Sequence, residues 1–301
     1  MTWHRPLGTA GGDGWDVVVE PDASGWEHTG LYVGRLAAGE TRAVVTGDRE
    51  FVVVPLRGSV DVASEDPSGL HEAVLAGRES VFAGTTDVAY VPAGSSLSVT
   101  ARGDARVALA FAVAGKAAEA TEFRHVRADE VPVELRGAGA ASREVRNFGI
   151  PGVLDADSVI ACEVVTPAGN WSSYPPHKHD EERAGEETQL EEIYYFEVEV
   201  EAASGALDGA DPVGYQRVYG TDERPIDVMA EVRTGDVVLV PHGWHGPAMA
   251  APGYDLYYLN VMAGPGPERA WLICDDPAHG WVRDTWPTQP VDPRLPFGGA
   301  R

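Results

Sequence analysis

Short runs of β-forming residues, separated by turn residues, limit the fold of this chain more than any other feature. Runs rich in Val, Ile, Tyr and Phe, such as REFVVVPLRGSVDVA and IDVMAEVRTGDVVLV, recur at close spacing and end at Gly, Pro or Asp. Regularly spaced short strands are typical of antiparallel sandwiches and barrels. No long segment has the 3.6-residue periodicity of an amphipathic helix, and short helices are expected only near residues 117–120 and after Gly266. The sequence therefore predicts an all-β protein with few short helices.

The two halves of the chain repeat the same order of strands and turns. REFVVVPLRG and DVAYVPAGSSLSV in the first half correspond to LEEIYYFE and DVVLVPHGWHGPA in the second. Alignment of the shared VPxG turns sets Ser96 against His245, and Glu50 falls near Glu191. A repeated series of strands indicates a duplicated structural unit. We therefore predict two tandem barrels, of which the first lacks the imidazoles of the second.

A change of composition near the middle of the chain marks the boundary between these units. Residues 115–150 are charged, glycine-rich and poorly periodic, which is typical of a connector. The predicted N-terminal barrel covers residues 1–125 and lacks metal ligands. The predicted C-terminal barrel covers residues 126–301 and includes a tail, rich in Trp and Pro, that wraps over a barrel.

Composition argues against several partners and locations. The chain has 301 residues, and 23 Lys and Arg against 47 Asp and Glu give a net charge of −24. Nucleic acid and anionic membrane surfaces are bound by basic patches, so we expect neither as a partner. The two cysteines form no disulfide framework, and the N-terminal segment lacks the apolar stretch of a signal peptide. We expect a cytoplasmic protein without membrane spans, and exposed strand edges would allow a homo-oligomer.

Residue types that bind metal ions gather in the second half. His177 and His179 are two residues apart in PPHKHD, Glu191 begins an aromatic run, and VPHGWHGP supplies His242 and His245. Imidazole and carboxylate donors without a thiolate suit a first-row transition metal ion. A solvent-facing histidine pair that binds nothing is the alternative, but the downstream Glu and the further His favour a metal site.

Strand alternation constrains which side chains can share the site. Alternate residues of a strand point to one face, so Lys178 points away when its two histidine neighbours face one ion. His245 is the better third imidazole because it takes the place of a serine in the first half, and His242 is left as a supporting or exposed residue. Glu191 and Glu192 point to opposite faces, and periodicity alone leaves open which face is interior.

These segments resemble the 5-deoxy-glucuronate isomerase family, bicupin enzymes of myo-inositol breakdown that are related to hexuronate ketol-isomerases. The similarity is most specific in PPHKHD, LEEIYYFE, GYQRVYGTDERPID, DVVLVPHGWH, GYDLYYLNVMAG and DDPAHGWVRDTW. It implies two tandem cupin barrels (double-stranded β-helix or jelly-roll) and one divalent ion, Zn or Mn, on His177, His179, Glu191 and His245. Eleven residues separate His179 from Glu191, a spacing that favours the inositol branch over other cupins, whereas Gly246 stands where a proline is expected.

The resemblance implies an aldose–ketose isomerisation of 5-deoxy-D-glucuronate to 5-dehydro-2-deoxy-D-gluconate, with the ion polarising the substrate carbonyl. The substrate carboxylate needs a cation, and we choose Arg217 because Tyr215 and Arg217 alternate onto one face of a strand. Tyr195, and Tyr257 or Tyr258, are candidates for hydrogen bonds to the sugar. A surface ion pair for the arginine and core packing for the tyrosines are the alternatives, and no catalytic base is assigned.

Two other functions stay open at this point. A metal-dependent cupin oxygenase can use three histidines and one glutamate with iron, and oxygen uptake measured beside isomerase activity would separate the two enzymes. A non-catalytic storage or sugar-binding bicupin would form no product and would keep its ligand affinity after His177→Ala. The restriction of the candidate ligands to one barrel argues against this last function.

Overall fold

The structure is a computed structural model that describes residues 2–22, 25–115, 121–202, 204–205 and 208–298. It confirms the all-β prediction, since strands dominate and the helices in the described ranges are short 3₁₀ helices. The helix predicted near residues 117–120 lies outside the described residues. After Gly266 the chain is not helical until a 3₁₀ helix that begins at Gly280. The 3₁₀ helices span Ala128–Glu130, Gly139–Ala141 and Gly280–Thr288.

Apart from the first, two-residue strand, the strands of the first half form one sheet that curls around its own core. Its main path is β10-β7-β5-β9-β3-β2, with β4 and β6 joined through β8 and β5. The strands up to residue 126 are β1 (His4–Arg5), β2 (Val17–Val19), β3 (Thr29–Leu36), β4 (Thr41–Val45), β5 (Arg49–Asp66), β6 (Gly69–Arg78), β7 (Val88–Val91), β8 (Ser96–Ala101), β9 (Ala105–Val113) and β10 (Arg124–Val126).

The second half forms a sheet in the order β1-β19-β16-β21-β13-β12-β11, a sheet in the order β14-β20-β17-β18, and the pair β15-β22. Its strands are β11 (Val133–Arg136), β12 (Arg143–Gly149), β13 (Ile160–Thr166), β14 (Trp171–Ser172), β15 (His177–Lys178), β16 (Glu191–Val200), β17 (Gly214–Tyr219), β18 (Asp227–Val232), β19 (Val237–Val240), β20 (Ala248–Ala250), β21 (Tyr254–Ala263) and β22 (Cys274–Asp275).

Three apolar cores hold this arrangement together. One lies inside the N-terminal barrel and includes Phe51, and one lies inside the C-terminal barrel and includes Tyr194 and Phe196. The third combines residues of both halves, such as Val52 of β5 and Ile193 of β16, so the two large sheets pack face to face. Central strands are therefore buried on both faces, and apolar residues fill both.

The strand register shows where the repeat places its residues. Phe51 of β5 pairs with Val91 of β7, and Glu192 of β16 pairs with Val240 of β19. Since Val91 and Val240 begin the two VPxG turns, Phe51 is the counterpart of Glu192. An aromatic side chain thus fills the N-terminal barrel at the position where the C-terminal barrel holds a carboxylate.

The chain crosses between the two barrels more than the predicted division suggests. β10 spans the predicted boundary at residue 125 and pairs with β7, but β1 pairs with β19 of the second half. The first residues of the chain therefore belong to the C-terminal sheet. The predicted connector is not a linker, because it contains strands of both sheets. No helix in the described ranges is long and apolar enough to cross a bilayer.

Candidate metal centre

Three buried imidazoles of the C-terminal barrel converge on one point. His177, His179 and His245 each present a ring nitrogen, and these atoms lie within 4.8 Å of one another. The backbones of His177 and His245 exchange two hydrogen bonds of 2.9 and 2.8 Å, which bring the VPHGWH turn against β15. Gly243 and Gly246 take φ values of +93° and +110°, so glycine permits the bend on both sides of His245. The structure thus brings together the three histidines that the sequence singled out.

Backbone carbonyls fix the orientation of two of these rings. Nδ1 of His179 lies 3.2 Å from the Leu190 carbonyl, and Nδ1 of His245 lies 2.8 Å from the Gly243 carbonyl. Because a carbonyl only accepts, each Nδ1 is the donor, and each Nε2 keeps its lone pair in the neutral ring. Those two Nε2 atoms are 3.0 Å apart. Two lone pairs at that distance repel unless a proton or a metal cation lies between them or beside them.

The carboxylate that lies against these imidazoles belongs to Glu192. Its Oε2 lies 3.1 Å from Nε2 of His179 and 3.0 Å from Nε2 of His245. Burial acts to raise the pKa of Glu192, but the two imidazoles outweigh it and hold that pKa below its ordinary value. Burial, with the charges of His245 and His179 after it, holds the pKa of His177 well below its ordinary value. A carboxylate and a neutral imidazole are the forms that bind metal ions.

The choice of Glu191 as a ligand was wrong, because its side chain leaves the barrel on the opposite face of β16. Its carboxylate accepts hydrogen bonds from the backbone amides of Glu27, His28 and Thr29 at 3.0, 2.8 and 2.7 Å. The Thr29 hydroxyl donates a further one at 2.9 Å. Glu191 therefore joins the C-terminal barrel to the segment that begins β3 in the N-terminal barrel.

A cavity of about 380 Å³ opens beside the histidines. Its walls combine metal-ligand candidates, polar groups that can bond hydroxyls, apolar side chains and three arginines. The lining residues are Arg136, Arg143, Val145, Val164, Ser173, His177, Glu192, Tyr194, Asn260, Trp271, Ile273, Asp275 and Arg283. A cavity of this size and character suits a small polar ligand.

The substrate-binding residues predicted from the sequence lie elsewhere. Arg217 pairs with Asp227 and with two backbone carbonyls on the outer side of its sheet, and Tyr215 donates to the exposed Glu231. Tyr195 and Tyr257 point into the core between the barrels. The odd-numbered residues of β16 face that core, and the neighbouring β21 follows the same rule of alternation. Of the predicted alternatives, Tyr258 lies on the barrel side and bonds Ser172 and Ser173.

Two further expectations concern residues next to the histidines. Lys178 points away from them, as predicted, and its Nζ binds Asp180 at 2.6 Å and Glu187 at 2.9 Å, which anchors the acidic loop. His242 lies outside the imidazole cluster and is half-buried. Burial lowers the pKa of His242, and its Nε2 has no hydrogen-bond partner among the described residues.

Sequence reasoning missed the arginines of the cavity. Arg136 and Arg143 lie in the stretch interpreted as a connector, and Arg283 lies in the tail. In REVRNFG the apolar residues Val145 and Phe148 are three positions apart, so the segment lacks the alternation that indicates a strand. The sequence therefore contained no signal that β12 would carry Arg143 into the cavity.

Comparison with known proteins places the chain. The sequence model described as the KduI/IolB family matches residues 3–282. This chain belongs to the KduI/IolB family. A family relative from Geobacillus kaustophilus (strain HTA426), named 5-deoxy-glucuronate isomerase, is 42% identical over 274 residues, 89% of this chain and 91% of that protein. A relative of the same name from Bacillus subtilis (strain 168) is 38% identical over 248 residues, 82% of this chain and 84% of that protein.

Solved structures agree with this family assignment. The crystal structure of an IolB-like protein from Salmonella typhimurium LT2 has a TM-score of 0.81 and 34% identity, covering 94% of this chain and 99% of that one. An oxalate decarboxylase of Lactobacillus farciminis has a TM-score of 0.62 at 11% identity, covering 91% of this chain and 88% of that one. The second likeness shows that the fold is that of a two-barrel cupin. The resemblance stated from the sequence motifs is therefore confirmed.

Proposed function

We propose that this member of the KduI/IolB family is an aldose–ketose isomerase that converts 5-deoxy-D-glucuronate into 5-dehydro-2-deoxy-D-gluconate. The relatives that carry the name 5-deoxy-glucuronate isomerase match it over more than four-fifths of both chains. The observation that carries the proposal is a cavity that joins a buried cluster of three imidazoles and one carboxylate to three arginines. Such a site suits a sugar that carries a negative charge.

The donor set fits one divalent ion, for which Zn or Mn is proposed. His177, His179 and His245 would hold it together with Glu192, in place of the Glu191 that the resemblance implied. The lone pairs of two Nε2 atoms and one carboxylate oxygen meet within about 3 Å, and a cation would satisfy them together. When bound there, the ion would supply Lewis-acid polarisation of a substrate carbonyl.

The chain's own residues prepare the cavity for a uronate. Ser173, Asn260 and Tyr194 offer polar groups for hydrogen bonds to sugar hydroxyls, and the apolar walls exclude bulk water from part of the cavity. Two of the three cavity guanidiniums are paired with carboxylates, and the third, that of Arg143, leaves a local positive charge in the cavity, although the whole chain has a net charge of −24. This local field favours entry of an anionic sugar over a neutral one.

Turnover before and after metal removal tests the proposal. We expect the metal-loaded protein to convert 5-deoxy-D-glucuronate into the ketose, followed by NMR, without oxygen uptake. A chelator should abolish turnover, because the imidazoles without a bound cation do not polarise the substrate carbonyl. Addition of one divalent ion per chain should restore turnover. Oxygen consumption, or full turnover by chelated protein without detectable metal, would contradict the proposal.

Location and assembly stay as predicted from the sequence. The proposed substrate is a small molecule, and neither nucleic acid nor a membrane is proposed as a partner. A cytoplasmic location and a homo-oligomer are predictions that fractionation of cells and light scattering of the purified protein would test.

A further inference from the structure

We infer that Arg143 is the residue that binds the carboxylate of the substrate, which makes it the residue that selects a uronate over a neutral aldose. The inference rests on the proposed function for the identity of the sugar. It rests on the cavity itself for the presence of an anion site.

Arg143 is a buried cation that has no counterion among the described residues. It begins β12, lines the cavity, and is only 3% exposed. Its Nη1 donates to the Ala141 carbonyl at 3.1 Å, and its Nε is buried without a hydrogen-bond partner. No carboxylate of the described residues lies within ion-pair distance of its guanidinium. The fork of Nε and Nη2 is therefore left without a protein acceptor in the described ranges.

The other two arginines of the cavity already have carboxylate partners. Arg136 donates to Glu134 through Nε and Nη2 at 3.0 and 2.6 Å. Arg283 holds Asp275 through the same two atoms, with Nη2 at 2.7 Å. A guanidinium whose fork is occupied by a carboxylate cannot bind a second one in the same bidentate way. Arg143 is the cavity arginine that keeps this capacity.

The surroundings of Arg143 hold the guanidinium in place without neutralising it. The ring of Trp286 lies 5.7 Å from its Cζ, a cation–π distance. Gly137 leaves room for the side chain, since a Cβ on that residue would lie 2.7 Å from Nη1 of Arg143. Burial, and after it the Arg136 and Arg283 guanidiniums, lowers the pKa of Arg143 to about 10. An anion that binds in the cavity would therefore stabilise the buried charge of the Arg143 guanidinium.

The same cavity also contains His177 and Glu192 of the metal centre. A ligand that fills it can therefore reach the imidazole cluster with one end and Arg143 with another. An open-chain uronate has this bifunctional form, because its carbonyl and its carboxylate are at opposite ends of the carbon chain. Two fixed ends orient the sugar and limit it to one productive pose.

The experiment compares two substrates in four proteins. Metal-loaded wild type, Arg143→Met, Arg143→Lys and Arg217→Met are assayed on 5-deoxy-D-glucuronate and on 5-deoxy-D-glucose, which has a hydroxymethyl group instead of the carboxylate. Arg217→Met is the matched control, because Arg217 pairs with Asp227 outside the cavity. D-Gluconate and neutral D-glucitol are titrated calorimetrically into the same proteins as a measure of binding that needs no turnover.

We expect Arg143→Met to lower kcat/KM for the uronate by about a hundredfold or more, since loss of one partner of a buried charge pair has effects of this size. For the neutral sugar we expect less than about a threefold change. Gluconate binding should weaken in parallel, glucitol binding should not change, and Arg143→Lys should lie between wild type and the Met variant. The Met variant should fold at least as stably as wild type, because it removes a buried charge without a partner.

An equal loss on both sugars, or no loss on the uronate, would overturn the inference while leaving the isomerase activity established. If wild type does not turn over the uronate, the proposed function fails, and gluconate titration still decides the role of Arg143. Weaker gluconate binding by the Met variant then supports an anion site, and unchanged binding refutes it. Should the Met variant fail to fold, the Arg143→Lys variant decides instead. A loss of kcat/KM on the uronate but not on the neutral sugar then supports the inference, and an equal loss on both sugars overturns it.

Discussion

At the scale of single residues, two adjacent glutamates of β16 have separate tasks. Glu192 lies within 3.1 Å of two imidazole nitrogens inside the C-terminal barrel. Glu191 accepts its hydrogen bonds from residues 27–29 of the N-terminal barrel. The difference is purely one of direction, since successive side chains of a strand point to opposite faces. One carboxylate therefore serves the candidate metal centre, and its neighbour serves the contact between the barrels.

Exchange of each glutamate for glutamine separates these tasks. We expect Glu192→Gln to lose bound metal and activity, because a neutral amide replaces the anionic ligand. Glu191→Gln should keep one metal per chain but lose about 1.5–3 kcal/mol of unfolding free energy, the range for hydrogen bonds to a charged group. Metal analysis and chemical denaturation of both variants measure the two effects.

Each variant is the control for the other, since both remove one negative charge from the same strand. The assignment would be contradicted if Glu191→Gln lost the metal and Glu192→Gln retained it.

At the scale of elements, the sequence of the central strand β16 does not show which of its faces points into the C-terminal barrel. Ile193 and Tyr195 pack into the core between the barrels, and Tyr194 and Phe196 pack into the C-terminal barrel. Both faces are apolar, so neither is marked as exterior. Only near its end does the strand become half-buried and polar, where Glu199 pairs with Asp255 of β21.

The end of β16 predicts a dependence of stability on pH. Burial, and after it the charges of Asp255 and Glu197, raises the pKa of Glu199 to about 7. A raised carboxyl pKa means that the folded state holds the proton longer than the unfolded state. The unfolding free energy therefore falls as Glu199 ionises, between about pH 4.5 and about pH 7, and this group causes no further change above that range. Because Glu199 is half-exposed, solvent screening limits this change in the unfolding free energy to about 1 kcal/mol.

We expect Glu199→Gln to raise the unfolding free energy by about 1 kcal/mol at pH 8 and to leave it unchanged at pH 4.5. Urea denaturation at the two pH values is the measurement. Glu65→Gln, which removes a charge from an exposed position, is the control. A gain of equal size at both pH values would show that ionisation of Glu199 is not its source.

At the scale of the whole molecule, the two barrels hold each other through a reciprocal contact. Glu191 of the second barrel accepts from the amides that lead into β3. Glu50, its counterpart in the first barrel, accepts from the amides of Asp157, Ser158 and Val159, which lead into β13. β3 and β13 are themselves counterparts, so the contact is repeated with the roles of the barrels exchanged. A buried ion pair of Arg78 with Glu163 joins the same two sheets.

This reciprocity predicts that the barrels unfold together. Glu50→Gln should lower the unfolding free energy by about as much as Glu191→Gln, about 1.5–3 kcal/mol, although Glu50 lies in the barrel opposite the cluster of three histidines. Differential scanning calorimetry should show one transition whose calorimetric and van't Hoff enthalpies agree. Metal content should be unchanged, and the exposed Glu122→Gln should behave as wild type. Two separate transitions, with only the first shifted, would contradict the prediction.

The β architecture, the repeat and the three imidazoles of the cluster could all be predicted from the amino-acid sequence, because they depend on local signals. Turn residues end the strands, and the HxH spacing and the VPHGWH turn place His177, His179 and His245 on one side of their strands. The choice between Glu191 and Glu192 required the three-dimensional structure, since both faces of β16 are buried and largely apolar. The structure was also needed to show that Arg143 and not Arg217 lines the cavity, because that position depends on how distant strands meet.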